Sequence, residues 1–265
     1  VVLGAQGAEG KAMNRRDFFK TSLAGAAVAS IGGSMAASAQ ATERHRPFFD
    51  KTRIEARNRN RSTVVCQHGM VCASQPLAAM AGIDALKAGG TCIDAAITCN
   101  AALGVVEPAS NGIGGDLFAI IWVEKDKKLY ALNASGRSPY DWNLDEAAKL
   151  NLKNIPGNSP LSWNVPGCVS GWKILSERWG KLGLAKCLGP AIALARDGFP
   201  LSPIIGTAQF GSWTSEMAPQ MAKVYHPDGK PLHYGESFRN PLSPNNLSAI
   251  AKDGAAAFYE GWIAQ

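Results

Sequence analysis

The chain has 265 residues, 46% hydrophobic and 18% charged, which allows one large domain or two small ones. No stretch holds 18 consecutive apolar residues, so no membrane-spanning helix is expected. The net charge of +6 is confined to residues 1–61, which carry 11 Lys/Arg against 5 Asp/Glu, whereas residues 62–265 carry 16 of each. A nucleic-acid binder carries its basic stripe on the folded part, so this distribution argues against nucleic acid as a partner.

Val1 is not a start residue, and the first methionine is Met13. Residues 1–12 therefore read as extraneous or upstream sequence. Arg15-Arg16-Asp17-Phe18-Phe19-Lys20 follows Met13, then a mildly apolar Ala/Gly-rich run to Met35, then Ala37-Ser38-Ala39. A charged start, a weak apolar middle and a small-residue end form an export signal. The paired arginines and low hydrophobicity fit the twin-arginine route. Residues 13–39 are thus expected to be a removable signal, 40–61 a basic linker and 62–265 the folded domain. The expected location is periplasmic or secreted; the alternative for residues 13–39 is a short amphipathic helix.

Val64-Val65 begins an apolar stretch that predicts a strand. Ser74 is a candidate helix cap with Pro76 just inside. Leu77, Met80, Ile83 and Leu86, at spacing three, predict one helix face, and Gly89-Gly90 ends it. Ile93 to Val106 is small and apolar nearly all round, the pattern of a deeply buried helix, and Glu107-Pro108 stops it. Leu117 to Val123 and Leu129 to Ala134 predict a hairpin with a charged turn between them. Val165-Pro166-Gly167 opens a helix whose Val169, Trp172, Leu175 and Trp179 share a face, closed by Gly180. Leu184 to Arg196 predicts a further apolar helix. Weaker helical signals lie around 201–210 and 244–263, with turn chemistry at Pro227-Asp228-Gly229-Lys230. The pattern is α+β, with helices packed on an antiparallel sheet.

The glycines at 112–115 follow a helix and precede a strand. A dinucleotide site needs strand, glycines, then helix, so close backbone approach is the better reading. No Gly-x-Ser-x-Gly occurs, and His45, His68, His226 and His233 are scattered. Asp84, Asp94, Glu107 and Asp116 read as helix-end residues and a cap on the Gly-rich loop, with a carboxylate pair as the alternative. The six cysteines contain no Cys-x-x-Cys, and no His stands at ligand spacing, so neither metal nor cofactor is expected. Cys92, Cys99, Cys168 and Cys187 read as buried small apolar residues; a Cys66–Cys72 bridge is left open. Arg137 follows a glycine at a strand end, where a guanidinium can grip a carboxylate with two parallel bonds.

Several segments together resemble the γ-glutamyltranspeptidase family. They are Gly69 to Ala78, Ala88 to Ala96, Ala102 to Pro108 running into Gly112-Ile113-Gly114-Gly115-Asp116, Val165-Pro166-Gly167, Trp179 to Leu182, Pro190 to Ala195, Asp197 to Pro200 and Phe258-Tyr259-Glu260-Gly261. The resemblance implies an N-terminal-nucleophile hydrolase fold, an αββα sandwich incomplete in this chain. It implies a precursor that cuts itself before a threonine. That threonine, activated by its own α-amine, attacks the γ-amide of a donor such as glutathione. The γ-glutamyl ester then passes to water or to an amino-acid or dipeptide acceptor. A small subunit from the same precursor is implied as partner, with the nucleophilic threonine downstream of Gln265 and an arginine of the large subunit on the donor's α-carboxylate.

Two features depart from typical members. Where those carry Arg-Glu-x-Ala-Pro, this chain has Ser135-Gly136-Arg137-Ser138-Pro139, so Ser135 takes the arginine's place and Arg137 lies two residues later. The family's Gly-Gly-Gly-Phe is Gly114-Gly115-Asp116-Leu117 here. The expectation is a γ-glutamyltransferase or glutathione hydrolase with Arg137 as the substrate contact. The alternatives are an amide acylase of the same fold and a non-catalytic periplasmic binding protein.

Overall fold

The computed structural model describes residues 2–4, 64–157, 159–209, 219–226 and 229–265. The chain divides into one unit of residues 1–6 and 68–265 and another of residues 7–67. In the second unit only residues 64–67 are described, and they are exposed and without helix or strand. The expected strand at Val64-Val65 is therefore absent. The first strand of that region forms instead at Met70–Cys72 (β2), paired antiparallel with Val2–Gly4 (β1). The expected signal and linker, as well as His45, lie outside the described residues.

Pro76–Lys87 forms the first helix, α1. Its cap is Gln75 rather than Ser74: the Gln75 side chain accepts from the Leu77 N–H. Ser74 instead donates its hydroxyl to Glu107. The buried face also differs from the expected one. Ala78, Ala81, Gly82 and Ala85 point inward, while Met80 is 60% exposed. The reason is the neighbour, Cys92–Val106 (α2), which packs along α1, and only small residues let two helix backbones approach so closely.

α2 is the central helix, buried on nearly every side, as its all-round apolar sequence requires. Its other main neighbour is Gly183–Asp197 (α5), and α5 in turn packs on Ser243–Asp253 (α7). Between α2 and α5 in sequence lie Leu117–Val123 (β3) and Lys128–Ala134 (β4), an antiparallel hairpin in the register Leu117↔Ala134 to Val123↔Lys128. Cys168–Trp179 (α4) packs on this hairpin and on α2. Leu144–Lys149 (α3), the short pair Phe199–Pro200 (β5) and Ser237–Phe238 (β6), Pro219–Tyr225 (α6) and Ala255–Tyr259 (α8) are the remaining α-helices and strands among the described residues. Ile204–Gln209 forms a π-helical turn within the region expected to be helical, and Pro227-Asp228 lie outside the described residues.

One side of the hairpin turns Ala119, Ile121 and Val123 towards the helices. The other side leaves Phe118, Ile120, Trp122 and Leu129 exposed, at 65%, 79%, 54% and 59%. A continuous apolar run of this kind belongs to a strand meant to be covered on both faces.

Asp94 fastens α2 to the α4–α5 connection. It forms a capping box with Thr91: the Thr91 N–H donates to its carboxylate at 2.7 Å, and the Asp94 N–H donates to the Thr91 hydroxyl at 3.2 Å. The same carboxylate accepts the Lys181 N–H at 2.9 Å and the Leu182 N–H at 3.0 Å. Burial acts to raise the Asp94 pKa, but the N–H groups of Thr91, Lys181 and Leu182 and the Thr91 hydroxyl outweigh it and hold the carboxyl below its ordinary value.

Candidate active site

The expected substrate contact stands at the end of β4. The Asn133 side chain accepts from the Ser135 N–H at 3.0 Å and turns the chain out of the strand. Gly136 follows with φ +78°, a backbone conformation that side chains resist. Arg137 then aligns beside the segment leading into α4, and its carbonyl accepts the Val165 N–H at 2.8 Å. The two stretches cross without room for side chains. A Cβ on Gly136 would lie 1.8 Å from the Val165 carbonyl oxygen, and one on Gly167 2.1 Å from that of Ala134.

The Gly-rich loop reaches the same place. The Gly115 carbonyl accepts the N–H groups of Gly167 and Cys168 at 3.1 and 3.0 Å, so the opening of α4 is held by backbone. The expected need for glycine is not seen here: a Cβ on Gly112 or Gly114 would meet nothing within 4 Å, and one on Gly115 only the Gly112 carbonyl oxygen at 3.9 Å. From the far end of the chain, Tyr259 donates its hydroxyl to the Pro166 carbonyl at 2.7 Å and accepts the Ser170 N–H at 3.0 Å. The segment leaving β4, the opening of α4 and Tyr259 enclose an open cavity of about 560 Å³, with Asn133, Ser135, Arg137, Ser170, Ile174 and Tyr259 among its lining side chains. Ser135, which takes the place of the family's arginine, and Arg137, two residues later, thus share one wall.

The Arg137 guanidinium lies 3.5 Å from the centre of the Tyr140 ring and donates one bond to the Ser138 carbonyl at 3.0 Å. Stacking fixes the plane of the cation while its edge stays available to an anion. Among the described residues no carboxylate pairs with it.

The other candidates are not brought together. Asp84 pairs with Lys87 on the surface, Glu107 with Ser74, and Asp94 with the α2 cap, while Asp116 is exposed. The helix-end reading holds for Asp84, Asp94 and Glu107, and no carboxylate pair forms. His68 and His233 are exposed, and His226 is half-buried in a separate segment. No group of three His, Cys, Asp or Glu that could hold a metal occurs among the described residues. Cys99, Cys168 and Cys187 are buried as expected, whereas Cys92 is only half-buried. Cys66 and Cys72 are exposed and unbridged. The sequence carries no signal that marks Tyr259 or Ser170 as site residues. Phe258-Tyr259-Glu260-Gly261 marks the family, but nothing in its spacing points to a cavity 93 residues away in the chain.

The γ-glutamyltranspeptidase family model matches residues 78–265. The chain belongs to the γ-glutamyltranspeptidase family. A glutathione hydrolase proenzyme of Bacillus subtilis is 32% identical over 206 residues, covering 76% of this chain and 35% of that protein. Among solved structures, a cephalosporin acylase from Bacillus halodurans superposes with a TM-score of 0.73 at 37% identity, covering 77% of this chain and 39% of that one. A γ-glutamyltranspeptidase from Helicobacter pylori gives a TM-score of 0.68 at 27% identity, covering 77% and 59%. The fold class is the α+β N-terminal-nucleophile hydrolase type expected. The chain spans about a third of the length of the curated relatives it matches.

Proposed function

We propose that this γ-glutamyltranspeptidase-family chain is large-subunit sequence of a γ-glutamyltransferase or glutathione hydrolase. The observation that carries the reading is Arg137, stacked on Tyr140 at the rim of a cavity lined by family segments, with no carboxylate of its own among the described residues. A guanidinium so held grips the donor's carboxylate and aims the donor into the cavity. The nucleophile is a threonine freed by self-cleavage in the remainder of the precursor. Its hydroxyl attacks the γ-amide carbon, its α-amine takes the proton, and the amine leaves protonated. Water then releases glutamate, or an amino acid or dipeptide takes the γ-glutamyl group. With glutathione the leaving amine is cysteinylglycine.

The uncovered outer side of the hairpin supports a partner from the same precursor. Phe118, Ile120 and Trp122 form an apolar stripe of the kind a second sheet buries. The small subunit is that partner. Residues 13–39 direct the protein through the twin-arginine route to the periplasm or the exterior.

A second reading is an amide acylase of the same fold. It is favoured by Ser135 in the family arginine's place and by the likeness to a cephalosporin acylase at 37% identity. The full-length protein assayed on γ-glutamyl-p-nitroanilide and glutaryl-p-nitroanilide separates the two. Release of p-nitroaniline from the first supports the transferase reading. Release from the second alone favours the acylase, and turnover of neither overturns both.

A further inference from the structure

We propose that Tyr259 is a positioning residue for donor binding, bracing the cavity wall that carries Arg137. The proposal rests on the reading of this cavity as the donor site.

The opening of α4 has no side-chain cap of its own, because its cap residue is Gly167. Its first N–H groups are satisfied from elsewhere: those of Gly167 and Cys168 by the Gly115 carbonyl, and that of Ser170 by the Tyr259 hydroxyl. The same hydroxyl donates to Pro166, so one phenol clamps the chain on both sides of the bend into the helix. Val165, the next residue back, donates to the Arg137 carbonyl, and its own carbonyl faces Gly136 at a distance that admits no Cβ. A shift of Pro166 therefore carries the main chain of Arg137 with it. The clamp is itself seated: the Tyr259 ring meets Phe258 edge-on with centres 4.9 Å apart. Burial pushes the phenol above its ordinary pKa, so the proton donated to Pro166 stays in place at neutral pH.

Tyr259→Phe keeps the ring and removes only the two hydrogen bonds, and the freed Pro166 and Ser170 groups face an open cavity where water can reach them. A merely structural tyrosine would lower the melting temperature and leave KM alone. A positioning tyrosine changes how the donor is held. In the full-length enzyme, KM for the better of γ-glutamyl- and glutaryl-p-nitroanilide is expected to rise about fivefold in Tyr259→Phe, with kcat held within about twofold. Arg137→Lys is measured alongside, together with the double variant. If Tyr259 acts through Arg137, the double variant raises KM by less than the product of the single effects. An unchanged KM in Tyr259→Phe, or single effects that multiply, overturns the proposal while leaving the donor site standing. An unchanged KM in Arg137→Lys overturns the donor-site reading, and no wild-type turnover of either probe removes the proposal with it.

Discussion

Gly136 and Gly167 sit against each other's strands where the segment leaving β4 crosses the segment entering α4, and neither has space for a methyl group. A Cβ on either would stand within 2.1 Å of a carbonyl oxygen across the crossing, and Gly136 also holds φ +78°. The wall bearing Arg137 therefore exists because two non-adjacent residues both lack side chains. Gly136→Ala or Gly167→Ala is expected to destabilise the full-length protein by at least about 3 kcal/mol, through main-chain displacement. Denaturant unfolding measures this, and a loss under about 1 kcal/mol would refute the crossing.

Arg137 owes its orientation to Tyr140. Tyr140→Phe keeps the stacked face and is expected to leave donor KM within about twofold. Tyr140→Ala frees the guanidinium and is expected to raise KM about three- to fivefold. Arg137→Lys loses the two-pronged grip and is expected to cost about tenfold in KM. Steady-state kinetics on the full-length enzyme checks all three, and equal effects of Phe and Ala at 140 would dismiss the stacking.

Asp94 is ionised where it is buried, and it accepts from the backbone N–H groups of Lys181 and Leu182 in the connection to α5. Asp94→Asn places an amide donor against them and is expected to cost about 2–4 kcal/mol. The folded carboxyl titrates below its ordinary value of 3.8. Its contribution to stability is therefore complete above the unfolded pKa and drains away as pH falls through the lower folded one. Wild-type stability should fall on acidification below about pH 4, more steeply than that of Asp94→Asn. Parallel slopes in urea titrations across pH 2–6 would contradict this.

The thiols divide by burial. Desolvation raises Cys99 and Cys187 to about 11 and Cys168 to about 12, whereas Cys66 and Cys72 are exposed. With a thiol reagent at pH 8, Cys66 and Cys72 should react in the native protein, and Cys99, Cys168 and Cys187 only after denaturation. Mass mapping of the labelled residues decides it.

The outer hairpin side makes opposite demands on the 265-residue chain and on the complete protein. Ile120→Lys should reduce self-association of the chain alone, because it breaks an exposed apolar stripe. With the stripe covered in the full-length protein as proposed, the same change should destabilise by about 2 kcal/mol or more, because it buries a charge. Light scattering and thermal melting test the pair, and a monodisperse, cooperatively melting wild-type chain would contradict the uncovered stripe.

The sequence conveyed what depends on local pattern. α2 was legible because every side of it is apolar, and the hairpin because its strands flank a charged turn. The face of α1 was not, since larger residues at spacing three drew attention from Ala78, Ala81 and Ala85. What buries them is α2, whose closeness favours small residues. Arg137 could be picked out from a glycine and a strand end. Asp94 could be read as a helix-end residue, but not its bonds to Lys181 and Leu182, 87 and 88 residues away. Tyr259 carried a family signature and no chemical one, because its role is made by contacts that only folding supplies.

The Tyr259 brace also orders the birth of the protein. During synthesis the Asp94 latch has its Thr91, Lys181 and Leu182 partners once residue 182 is out of the ribosome, whereas Pro166 and Ser170 must wait for a residue some ninety codons later than themselves. A nascent chain halted in between would have its central helices fastened together and its cavity wall still slack.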